Sequence, residues 1–259
     1  MSTKHVFDDA TGLVEKACLG VASTNPDLRF FAHHKVLYNA AHPRDKVAIL
    51  AGGGAGHEPA FSGLVGSGLV TVAVSGDVFA SPSSKQICSG VDLAPTDKGI
   101  VTIVLNYTGD CLNFGLASEK ARSAFHSEGK GRDIEMVNVG DDVSVGRSKG
   151  GLVGRRGLTG AAFTAKVLGA ASEKGDDVQK IAHLGRTMVK NFVTVGSSLD
   201  HCHVPGRSTD PKERGALSQS AVEIGMGIHN EPGAKHIENK QSGEDLIKEM
   251  RALLVREDG

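Results

Sequence analysis

AILAGGGAGHEPAFSGL, residues 48–64, is the stretch on which the fold turns. The apolar run from Lys46 to Ala51 predicts a buried strand. Four of the next five positions are Gly (52, 53, 54 and 56), and His57, Glu58 and Pro59 follow. Two nucleotide templates fail here. A dinucleotide fingerprint begun at Gly52 needs Gly where His57 stands, and a P-loop needs Gly-Lys-Ser/Thr where His-Glu-Pro stands. Without a Cβ, glycine lets backbone N–H groups approach a small ligand closely. In open α/β sheets ligands sit beyond the carboxyl ends of strands. His57 is therefore either a reader of such a ligand or a surface histidine on a tight turn, and the loop alone leaves both open.

Two further runs read like the first: Leu69–Val74 and Gly99–Leu105 are short, β-branched and apolar on both faces, and Ile134–Val139 reads as a fourth strand. Strands of that kind belong to a mainly parallel, covered sheet. Helical segments are expected at Phe7–Leu19 (capped by Asp8 or Asp9), Pro82–Cys88, Asn113–Phe125, Leu158–Ala171 and Asp176–Thr194. The alternation gives an α/β class, a mostly parallel sheet flanked by helices. Texture changes near residues 190–196, where a Pro- and Gly-bearing polar stretch begins. The expected division is an N-terminal domain over 1–192 and a smaller, incomplete C-terminal α/β subdomain over 193–259. Within the latter, Val222–Ile228 alternates like a strand. Glu244–Val255 reads as an amphipathic helix with Leu246, Ile247, Met250, Leu253 and Leu254 on one face.

The 259 residues include 34 Gly without a repeating period, so collagen-like repetition is excluded and many tight turns are implied. A net charge of −1 gives no phosphate-backbone footprint, and 4% aromatic residues without Trp make a poor base-stacking platform. No nucleic-acid partner is expected. Four scattered cysteines lack C-x-x-C spacing, which fits reduced thiols. No apolar run approaches ~18 residues and no signal-peptide core opens the chain, so no membrane partner and a cytoplasmic location are expected.

Two more stretches repeat the pattern of the first. Ile103–Asp110 runs from a strand into Gly109-Asp110, where Asp110 is either a helix N-cap or a catalytic carboxylate. Gly225-Met-Gly-Ile-His-Asn-Glu-Pro-Gly233 again joins glycines, a histidine and Glu-Pro. His57, His229 and Asp110 together suit general acid–base or covalent catalysis. They lack metal-ligand spacing, so no metal is expected. His201-Cys202-His203 has metal-like chemistry but reads better as a polar loop. Gly154-Arg-Arg-Gly157 matches the G-x-x-G of a KH module, against which the net charge speaks; an anion contact or a surface turn is preferred. Gly140-Asp-Asp-Val143 lines the same crevice or forms a solvated turn.

These blocks, together with VSGDVFASPSS, NYTGDCLNFG, VNVGDDVSVGR, GLVGRRGLTG and SSLDHCHVPGR in that order, resemble the substrate-binding DhaK domain of the dihydroxyacetone kinase family, in its eukaryote-type single-chain branch. The resemblance covers the chain from about Lys4. It implies that His229 captures the ketone of dihydroxyacetone as a covalent hemiaminal. It implies too that His57 hydrogen-bonds the substrate, that Asp110 acts at the hydroxyl that attacks the γ-phosphate, and that backbone at Gly54, Ala55 and Gly56 holds the sugar. There are two departures. The family often has Lys just before the NYTGD block, where Leu105 stands here. The chain also ends soon after the His229 block, without the helical ATP-binding domain. ATP and Mg are therefore expected on a partner kinase domain or subunit, with no cofactor bound by this chain, and a homodimer is plausible from the family. The alternative is a truncated, non-catalytic dihydroxyacetone-binding or regulatory homologue.

Overall fold

The structure, a computed structural model, describes residues 5–129, 131–146, 154–208, 210, 215–239 and 242–255. Its main sheet has six strands: β1 (Leu28–Phe31), β2 (Val36–Asn39), β3 (Ala48–Ala55), β4 (Val72–Val78), β5 (Ile100–Leu105) and β6 (Ile134–Val139). Their order is β1-β2-β4-β3-β5-β6. The pairs β4–β3, β3–β5 and β5–β6 are parallel, while β1 and β2 add an antiparallel edge.

Side-chain alternation explains why the central strands are apolar throughout. Ile49, Ala51, Val101, Ile103 and Val137 pack on one face against Ala165 and Leu168 of α4 (Gly160–Glu173) and Ile181 of α5 (Val178–Met188). Ala48, Leu50, Ile100 and Val104 pack on the other, against Ile87 of α2 (Ser84–Leu93) and Phe114 of α3 (Thr108–Glu128). Every residue of β5 is buried. The chain leaves β3 for β4 on one side, then crosses to β5 on the other. The carboxyl ends of β3 and β5 therefore lie side by side at a change of direction, where such sheets bind ligands.

Several boundaries differ from the sequence expectation. The first helix, α1 (Leu13–Ser23), starts well after Phe7, because Asp9 takes the backbone N–H of Thr11 in a local turn and Gly12 enters the helix at φ 68. The second expected strand begins at Val72 rather than Leu69 and runs on to Val78. The glycines at 52–54 belong to β3 itself, so the loop starts only at Gly56. A Cβ on Gly54 would come within 2.9 Å of the Ala80 backbone nitrogen, and Gly56 stands at φ +102. The first needs the space and the second needs the conformation.

Beyond α5 lies a three-stranded antiparallel sheet: β7 (Ser197–Ser198), β8 (Val222–Ile224) and β9 (Lys235–Ile237). The strand expected through Ile228 stops at Ile224, since Gly225 turns to φ 80. The turn between β8 and β9 carries His229. The closing helix α6 (Gly243–Leu254) has Ser242 as its N-cap, accepting from Asp245 N. No residue of α6 is fully buried, and Ile247 is 66% exposed, so its apolar face packs only partly. Among the described residues, no helix is long and apolar enough to cross a membrane.

Candidate active site

His57 follows β3 and His229 follows β8, yet their Nε2 atoms meet at 3.1 Å. Each ring is held by its own neighbours. Phe79, at φ 57, stacks on His57 with centroids 5.0 Å apart and an interplanar angle of 12°. The edges of Phe79 and Tyr107 meet His229 at 5.2 and 5.0 Å.

Glu231 fixes the chemistry of His229. Its Oε1 lies 2.9 Å from His229 Nδ1, and its Oε2 accepts the His229 backbone N–H at 2.9 Å. Burial alone would raise the Glu231 carboxyl, but hydrogen bonds from the His229 ring and backbone outweigh it and hold the pKa at about 2. An ionised carboxylate only accepts, so His229 Nδ1 carries a proton toward Glu231, and the neutral form of the ring is then the one with its lone pair on Nε2. His57 then donates its Nε2–H toward that lone pair. Burial, reinforced by the nearby His229, lowers the His57 pKa to about 4, and the ring is neutral at pH 7.

Asp110 is only 5% exposed. It is not the cap of α3; Tyr107 occupies that position, and Asp110 stands in the first helical turn. The helix begins earlier than Asn113 because Thr108 and Gly109 already follow helical geometry. The carboxylate faces the end of β3, where a Cβ on Gly53 would sit 3.8 Å from Oδ2. Burial raises its pKa, against the pull of the Ser81 hydroxyl and His229. Its Oδ1 and the Tyr107 hydroxyl are buried without a hydrogen-bond partner among the described residues. Buried polar atoms of this kind are uncommon.

The two flanking motifs prove to be supports. Arg156 of the G-x-x-G turn pairs with Asp142 at 2.8 Å, and its Nη2 donates to the Gly225 carbonyl at 2.7 Å. Asp142 is fully buried. This ion pair ties the His229 turn to the main sheet. Asp141, also fully buried, accepts from Leu158 N and Gly160 N at the start of α4. The Gly140–Val143 segment is thus neither a solvated turn nor a crevice wall of free carboxylates. In the His201–His203 stretch, backbone N–H and C=O of Cys202 bond the Asn230 side chain at 2.7 and 3.1 Å, and His203 Nδ1 meets His5 Nε2 at 2.7 Å. No group of three or more His, Cys, Asp or Glu placed to hold a metal occurs among the described residues.

The family model for the Dak1 domain matches residues 19–259. The chain belongs to the Dak1 domain family. This Dak1 domain is 42% identical to dihydroxyacetone kinase of Pichia angusta, over 98% of this chain and 42% of that protein. It is 42% identical to dihydroxyacetone kinase 2 of Saccharomyces cerevisiae, over 100% and 43%. It is 37% identical to human triokinase/FMN cyclase, over 96% and 42%. The chain spans less than half the length of these relatives. Among solved structures, the dihydroxyacetone kinase of C. freundii in complex with AMP-PNP and Mg2+ superposes with a TM-score of 0.85 at 32% identity, over 99% of this chain and 47% of that one. The dihydroxyacetone kinase operon co-activator Dha-DhaQ superposes with a TM-score of 0.82 at 30% identity, over 93% and 70%.

Of the residues read from sequence, the Dak1 domain brings His57 and His229 into direct contact and sets Asp110 at the adjoining strand end. Gly54 and a buried Ala55 end β3, and Gly56 opens the loop that leads to His57. Glu231, Phe79, Tyr107 and Arg156 were missed. The Glu231 signal was visible as His-x-Glu; the other three are made relevant only by tertiary contacts.

Proposed function

We propose that this Dak1 domain is the substrate-binding part of a dihydroxyacetone kinase. The observation that carries the reading is the His57–His229–Glu231 chain, in which a carboxylate directs a neutral imidazole to present a bare nitrogen beside a second, hydrogen-donating imidazole. In the capture step, the His229 Nε2 lone pair forms a bond to the ketone carbon and the C=O π bond breaks. The addition leaves an alkoxide and a cationic ring; the proton that Nδ1 loses, relayed through Glu231 and solvent, balances the one that the alkoxide gains, so the product is a neutral hemiaminal with Glu231 ionised again and no net proton taken up. His57 donates to a substrate oxygen. Capture selects carbonyl compounds over glycerol and fixes the remaining hydroxyl in place.

Asp110, with its raised pKa and unpaired Oδ1, is suited to accept the proton of that hydroxyl as it attacks a γ-phosphate. ATP and Mg2+ belong, in this reading, to a kinase domain that covers the crevice. The likeness to the C. freundii kinase, whose complex holds AMP-PNP and Mg2+, supports this reading.

The test is intact-protein mass spectrometry with dihydroxyacetone, with His229→Ala beside the wild type. A reversible adduct of one substrate mass, absent in the variant, is expected. A folded protein that forms none overturns the covalent reading. The likeness to the operon co-activator Dha-DhaQ favours a second reading, a ligand-binding regulator without catalysis. ATP-dependent phosphorylation of dihydroxyacetone in the presence of an ATP-binding kinase domain distinguishes the two.

A further inference from the structure

Beside His57 lies a cavity of about 370 Å3 whose walls are almost wholly apolar. His57 forms one wall. Phe61, Leu105, Leu158, Ala162 and Ile228 form much of the rest, and Thr159 is the only other polar residue lining it. No charged side chain reaches it among the described residues. Three segments beside the site border it. Leu105 ends β5, five residues before Asp110; Ile228 directly precedes His229; Ala162 lies in the first turn of α4.

A three-carbon sugar held between His229, His57 and Asp110 leaves this space unused. By liquid volume it would take about twelve waters at ~30 Å3 each, yet its walls offer water few of the two to four polar partners it needs. Apolar carbon suits it far better. We propose that the cavity is a substrate subsite for an alkyl substituent, so that the carbonyl ligands of this chain include 1-hydroxy-2-alkanones longer than three carbons. The proposal rests on the carbonyl-binding reading above and extends it to a substrate class. The hydroxymethyl end faces Asp110, as before, and the alkyl end passes the His57 ring into the cavity. Each methylene buried should tighten binding about fourfold, the equivalent of about 0.8 kcal/mol.

The experiment is calorimetric binding of dihydroxyacetone, 1-hydroxy-2-butanone, 1-hydroxy-2-pentanone and 1-hydroxy-2-hexanone, with adduct mass recorded for each. Wild type and Ala162→Phe are compared. Ala162 is exposed at the cavity rim, so a larger side chain there blocks the space without disturbing the core. A rise of about fourfold per methylene in the wild type, flattened in Ala162→Phe with dihydroxyacetone binding unchanged, is expected. Affinity that is flat or falls with chain length, while dihydroxyacetone still forms its adduct, overturns the subsite and leaves the capture reading standing. Chain-length-dependent binding without any adduct sustains the subsite and overturns covalent capture. No binding of any of the four ketones overturns both.

Discussion

Replacing Glu231 by Gln should weaken dihydroxyacetone binding about tenfold while leaving the fold in place. The magnitude follows from the carboxylate's surroundings. Burial works against its ionised form, and the two hydrogen bonds from His229 more than reverse this, so that the pKa sits at about 2 instead of 4.5. That difference corresponds to about 3 kcal/mol in favour of the ionised, hydrogen-bonded loop. The side chain is 33% exposed, so roughly half survives solvent screening. Glutamine keeps a neutral hydrogen bond to Nδ1 but loses the charge, and its NH2 group can instead face the ring and favour the wrong tautomer. A net loss of about 1.4 kcal/mol is one decade in Kd. The assay is calorimetric titration with dihydroxyacetone, with circular dichroism to confirm the fold. The pH dependence adds a sign. A carboxyl whose folded pKa is depressed contributes fully above pH 4.5 and loses that contribution as pH falls toward 2, so wild type and variant should converge in acid. An unchanged Kd for Glu231→Gln at pH 7 would refute the claim that this carboxylate sets the His229 tautomer.

Three further outcomes are expected. Asp110→Asn should raise Tm at pH 7 by about 2–4 °C while abolishing phosphoryl transfer with a kinase domain, because a buried carboxylate with an unpaired oxygen costs stability of about 1–2 kcal/mol. Its raised pKa makes that cost appear as pH rises through the folded value, so the gain should vanish in acid; a Tm that falls at pH 7 contradicts the argument. Gly54→Ala should destabilise the protein by about 1–3 kcal/mol in urea unfolding, since the added Cβ meets the Ala80 backbone at 2.9 Å, and a neutral result would show that β3 and the turn after β4 can part. Arg156→Met leaves Asp142 charged and fully buried, and should cost about 3–5 kcal/mol and release the His229 turn; retention of full ketone affinity would show that the ion pair does not position the histidine.

Much of this was legible in the chain because it depends on local rules. The run Ile100–Leu105 is a buried parallel strand because six successive apolar or β-branched residues suit a sheet covered on both faces. Ile134–Val139 was legible from its β-branched Ile134, Val137 and Val139, which are its three buried residues, and its limits agree with the structure. The chemistry-bearing side chains His57, Asp110 and His229 stood out because each follows a strand-like run and sits among glycines. The antiparallel edge β1–β2 was not legible. Its eight residues alternate weakly, and they are strands because β4 offers an edge to pair with. Nor was the length of β3. Glycines read as a loop by propensity, but here β4 and β5 on either side hold them in register.

What the sequence alone determined is therefore the α/β class, the order of its central elements and the three side chains worth watching. Tertiary structure decided which nitrogen of His229 is bare, that Asp110 is buried in a helix rather than capping it, and that Arg156 ties the His229 turn to the main sheet. Those facts depend on contacts across long stretches of chain, such as the separation of 172 positions between His57 and His229. Protonation state is set by burial and by the nearest charge, and neither exists until the chain has folded.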